Sequence, residues 1–221
     1  MTPAPSSSPL SVPRRWPWVL IVIIALCSLV EGTLQLADWQ IVGPPRLRSI
    51  AYEYGGFWVG LLQSWTPNYT GQPYLMFATY GFLHGGLLHL AVNMITLWSL
   101  GMAVLDRVGT RGFLLLYAAS LLGGAAGFAL LASTLAPMVG ASGALFGLAG
   151  GLLAWGYVDR FTFEEALWPV ARAAGLLLTL NLVMWWALDG QLAWQTHLGG
   201  FLTGWLAALL IDPRPRTYDE A

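Results

Sequence analysis

The chain has 221 residues, 57% of them hydrophobic and 10% charged, with a formal net charge of −1. Its mean hydropathy is +0.63. Soluble domains carry about 25% charged residues, so the composition is that of an integral membrane protein, and the charge balance gives no electrostatic case for nucleic acid. All ten cationic residues are arginine, which excludes chemistry that depends on lysine.

Residues 1–15 are rich in Pro and Ser and end in Arg14 and Arg15, the composition of a disordered tail before a membrane entry. No small-x-small cleavage site follows the first apolar stretch, which is therefore expected to stay as a span rather than leave as a signal peptide. A bilayer core of about 30 Å needs about 20 helical residues. Six candidate spans result: about 17–37, 83–105, 112–135, 142–158, 173–188 and 195–211. The expected fold class is an all-α membrane protein, a six-helix membrane domain over 16–211 with a C-terminal tail at 212–221. Period-two alternation, the mark of a membrane barrel, is absent. Cys27, the one cysteine, lies mid-way along the first span and reads as a small packing residue.

Arginine placement sets the expected orientation. Arg14, Arg15, Arg107, Arg111, Arg160, Arg172, Arg214 and Arg216 share one side, and only Arg46 and Arg48 fall on the other. Basic residues collect on the cytoplasmic side, so both termini are expected there and the loop of about 38–72 outside. That loop is rich in Trp and Tyr, which favour the headgroup region.

Polar groups inside spans are costly and mark functional candidates. They are His84, His89 and Asn93 in the second span, Ser142 in the fourth, Asn181 in the fifth and His197 in the sixth. The second, fourth and sixth spans run in the same direction, so His89, Asn93, Ser142 and His197 can share one depth near the outer face. His89 and Asn93, four apart, lie on one helical face. On a continuous helix His84 would lie about 140° away from His89. For His84 a bond to a loop carbonyl and a direct role are both open. Asn181, mid-way along an opposite-running span, is expected to make a helix-to-helix hydrogen bond.

Gly143, Gly147 and Gly151 recur every fourth residue, and Gly200 and Gly204 repeat the spacing just after His197. Small-xxx-small faces let membrane helices approach closely, which would carry Ser142 within hydrogen-bond reach of His197. Other chemistries fall away. Asp106, Asp159, Asp189 and Asp212 all lie at span ends, unlike the paired intramembrane acids of a diaspartyl protease. No His-Glu-x-x-His run offers a zinc site. Ser142 alone could be an ordinary helix-start residue; its conjunction with His197 points to acyl transfer, with His197 as general base. Asn93, His89 and the Ser142 backbone N–H are candidate oxyanion donors. With no acid placed to orient His197, the pair is expected to act without a third member. Internal repeats, the mark of many solute transporters, are absent.

The runs His84-Gly85-Gly86-Leu87-Leu88-His89-Leu90-Ala91-Val92-Asn93, Gly140-Ala141-Ser142-Gly143 and His197-x-x-Gly200-x-x-x-Gly204 resemble the rhomboid intramembrane serine proteases. The resemblance covers roughly 75–211. It implies a six-helix rhomboid-like bundle with a water-filled cavity, Ser142 as nucleophile, His197 as base, and His89 and Asn93 in the oxyanion hole. It also implies Phe146 packed on the catalytic histidine, His84, Gly140, Gly143, Gly200 and Gly204 in support, and no cofactor or metal. Substrates would be single-span membrane proteins cut near the outer face after a small residue, with a bacterial cytoplasmic membrane as the expected location. Nothing in the sequence specifies an oligomeric state. Rhomboid-like pseudoproteases, which bind transmembrane helices without cleaving them, are the alternative; they lack the serine or histidine present here. The chain departs from many family members at Gln72-Pro73-Tyr74-Leu75-Met76, where a Trp-Arg pair of the first external loop is missing.

Overall fold

A computed structural model describes residues 17–212 and 215, so the expected tail at 1–15 and all of the C-terminal one but Asp212 and Pro215 lie outside the described residues. The described chain is all-helical: α1 (Trp18–Asp38), α2 (Leu47–Gly55), α3 (Gln72–Thr79), α4 (Leu87–Leu131), α5 (Ser142–Thr162), α6 (Trp168–Ala187) and α7 (Trp194–Ile211), with short 3-10 turns at Val59–Leu62 and Tyr80–Phe82. Of these, α1, α4 and α6 are each both long and apolar enough to cross a membrane. With α5 and α7 they form an all-α membrane protein.

The expected second and third spans are the two arms of α4. Gly109 breaks the run with φ 67° and ψ −175°, a conformation that a side chain disfavours. The boundaries differ from those read in the sequence. The first arm starts at Leu87 rather than 83 because Gly86, at φ 110°, cannot be helical, and the second stops at Leu131 where Ala132 turns extended. α6 begins at Trp168, five residues early, with a proline in its first turn, where the missing N–H costs nothing.

Glycine decides how the centre packs. A methyl group at Gly200 would sit on the Gly143 carbonyl, and one at Gly204 on the Gly147 carbonyl. On the other side of α7, Gly199 lies against the Gly123 carbonyl and the Gly127 backbone. α7 is thus wedged backbone against backbone between α4 and α5, the close approach that substitutes for a hydrophobic drive between membrane helices. Farther along, the Trp155 indole donates to the carbonyls of Ala208 and Asp212, at 3.0 and 3.1 Å. Arg107 there pairs with Asp159 at 2.5 and 3.0 Å and lies over the Trp155 ring. The end of α7 away from His197 is therefore clasped to both neighbours. By contrast, α6 buries no side chain.

Candidate active site

Three short devices build the site. Phe57 and Met138 exchange backbone hydrogen bonds at 3.0 and 2.9 Å, tying the loop after α2 to the one before α5. The Gly140 N–H then donates to the Tyr80 carbonyl at 2.9 Å. Gly140 itself has φ 127°, and a Cβ there would lie 2.8 Å from His89 Cε1. Only glycine fits both the dihedral and the ring. The chain can then turn into α5 with Ser142 as its first helical residue.

His197 enters in the first turn of α7 and is 6% exposed. Its Nε2 lies 2.9 Å from Ser142 Oγ. The Phe146 ring stacks on the imidazole, centroids 4.1 Å apart and planes within 5°. Asn181 Oδ1 lies 2.6 Å from His197 Nδ1. The hydrogen bond expected of Asn181 between helices is present, and its partner is the histidine itself. No acid was expected at His197, and the group at its Nδ1 is an amide carried on α6.

His89 and Asn93 lie on the first arm of α4. Gly85 N–H donates to His89 Nδ1 at 3.1 Å, which leaves the proton on Nε2, the atom that would lie 3.0 Å from a Cβ at Gly140. Asn93, 4% exposed, donates one amide N–H to the His89 carbonyl at 2.8 Å and keeps a second. The helical angle drawn for His84 does not apply, because residues 83–86 precede α4. Its ring instead meets His89 edge-on, centroids 5.3 Å apart.

Sequence reasoning overlooked Glu31, a fully buried carboxylate in α1. It accepts from Arg48 at 2.8 and 3.0 Å, and Arg48 also bonds Asp38 at 2.7 Å. From there Arg48 and Tyr52 donate to the His84 carbonyl at 3.1 and 2.6 Å. The Glu31 hydrogen bond, with lesser help from Tyr52 and Asp38, raises the Arg48 pKa above its ordinary value against the opposing effect of burial. Two signals were available: Glu31 is the one acid inside the first span, and Arg48 sits against the charge bias. Gln72, fully buried, accepts from the Asn68 N–H at 2.7 Å and donates to the Glu53 carbonyl at 2.6 Å. The loop lacking a Trp-Arg pair is held by these contacts.

The arrangement is that of a multi-pass helical membrane protein with a serine, an imidazole and hydrogen-bond donors gathered at one end of the bundle. The Rhomboid domain matches residues 71–214, and the chain belongs to the rhomboid family. It is 35% identical over 136 residues to RHOMBOID-like protein 5 of Arabidopsis thaliana, covering 61% of this chain and 43% of that protein. It is 36% identical over 127 residues to Rhomboid protease GluP of Bacillus subtilis, covering 57% and 24%. With Rhomboid protein 1, mitochondrial, of Saccharomyces cerevisiae it shares 34% identity over 139 residues, covering 56% and 38%. The matched part is less than half the length of each relative.

Proposed function

We propose that this protein is an intramembrane serine endopeptidase in which Ser142 is the nucleophile and His197 the general base. The observation that carries this reading is the 2.9 Å approach of His197 Nε2 to Ser142 Oγ, with the imidazole stacked on Phe146. His197 takes the Ser142 proton as Oγ attacks the scissile carbonyl carbon, and the carbonyl oxygen becomes an oxyanion. The Ser142 backbone N–H, His89 Nε2–H and the second Asn93 amide hydrogen are the donors for that charge. One such donor is worth roughly 2.7–4 kcal/mol of barrier. The imidazolium then protonates the leaving amine as the C–N bond breaks. Water, deprotonated by His197, cleaves the acyl-serine to a carboxylate product and restores Ser142.

The protease name of the Bacillus relative supports hydrolysis. Substrates in this reading are single-span membrane proteins, cut near the face from which α5 and α7 enter, after a small residue. The arginine bias, eight against two, supports a cytoplasmic placement of both termini of the 16–211 membrane domain. A bacterial cytoplasmic membrane is the proposed location.

The test is cleavage of a reporter transmembrane substrate in liposomes. Ser142→Ala and His197→Ala should each abolish turnover. Undiminished cleavage by Ser142→Ala would end the proposal. A serine-directed covalent inhibitor should label the wild-type chain at Ser142; a folded chain that escapes labelling would instead be a helix-binding protein.

A further inference from the structure

We infer that Asn181 is a positioning residue for His197, its amide oxygen holding the imidazole in the one tautomer that can act as a base toward Ser142; the inference rests on the proposed Ser142–His197 chemistry.

A neutral imidazole carries one proton on one of two nitrogens. Asn181 Oδ1 has no proton to give, so the 2.6 Å contact is a hydrogen bond donated by His197 Nδ1–H. The lone pair is thereby left on Nε2, which faces Ser142 Oγ at 2.9 Å. The other tautomer would present an N–H to the serine and could not take its proton. Stacking on Phe146 fixes the plane of the ring but is blind to which nitrogen is protonated. Asn181 is the one described contact that makes that distinction. An amide also suits the surroundings, since it supplies the acceptor without placing a charge inside a span.

The position of Asn181 strengthens the case for a dedicated role. α6 buries no side chain. Among the described residues Asn181 is the only α6 side chain that hydrogen-bonds to another helix, Thr179 reaching only Gly175 of its own. Replacing Asn181 with the similarly shaped Leu therefore removes the hydrogen bond and leaves the packing of α6 almost unchanged.

Histidine 15N NMR on the full-length chain in nanodiscs tests this directly, because the protein has only three histidines. Signals are assigned by loss in His84→Ala and His197→Ala. The wild type should show His197 protonated at Nδ1 and bare at Nε2. Asn181→Leu should mix the tautomers and lower kcat at least about tenfold, a part of the roughly 10²–10⁴-fold that general-base catalysis supplies, with KM unchanged. Asn181→Asp, which keeps the oxygen, should restore the single tautomer and most of kcat. The inference is overturned if Asn181→Leu keeps the wild-type tautomer, whether its kcat falls or not. Full cleavage by Ser142→Ala would sink the dyad chemistry instead and leave the tautomer measurement standing.

Discussion

Helices α6 and α7 each contribute one partner to the hydrogen bond at His197, yet they are held in opposite ways. α7 lies backbone against backbone on both sides, with Gly200 and Gly204 on the carbonyls of Gly143 and Gly147 and Gly199 against Gly123 and Gly127. Its far end is clasped through the indole of Trp155 and the Arg107 network. α6 has no buried residue and exposes Leu176, Leu180, Leu182 and Val183 along its length. The lesson concerns precision. A base must be held to within a few tenths of an ångström of its nucleophile, and the glycine contacts give α7 no room to slide. Asn181, the proposed positioning group, is carried on a helix that buries no side chain.

Three substitutions would sharpen or break this contrast. The largest effect is expected at Gly200→Val. The branched side chain would land on the Gly143 carbonyl, which is backbone and cannot rotate away. Overpacking costs about 1–3 kcal/mol where side chains can adjust; here the helices must part, so the cost should exceed about 3 kcal/mol, read as a lost or strongly lowered thermal transition in detergent. A wild-type transition would mean that α7 is not packed through its backbone. Phe146→Ala comes next. Loss of the stacked ring forfeits about 0.5–1.5 kcal/mol of contact with the imidazole, or roughly 2–10-fold in kcat by the usual conversion, which cleavage kinetics would register. The smallest effect belongs to Val183→Ala on α6. Val183 is 53% exposed, and a substitution away from packed features stays within about 0.5 kcal/mol. Thermal unfolding well outside that range would show that α6 is anchored by more than Asn181.

Much of the site was legible because each feature had a local signature. Gly140-Ala141-Ser142-Gly143 and His197 with its glycines stand at the heads of two apolar segments, and the parallel direction of their spans follows from counting. Where reading failed, it failed through local geometry. The helical angle assigned to His84 assumed a helix that Gly86 prevents from forming before Leu87. The boundary at 173 missed the turn of helix that the proline after Trp168 begins. Glu31 escaped notice because one acid in an apolar run looks like an exception until its partner is known. That partner, Arg48, lies 17 residues on, in the short helix α2, whose placement against α1 the sequence does not reveal.

Composition and periodicity by themselves determined the membrane class, the helical architecture and the candidates Ser142 and His197, because burying uncompensated polar groups in lipid is costly enough to leave a mark in the sequence. What only the tertiary structure decided were the pairings between helices. Asn181 meets His197, Arg48 meets Glu31, and Gly140 gives its missing side-chain volume to His89. Such pairings depend on rotation about a helix axis and on the depth of one helix against another. Spacing within a single span records neither.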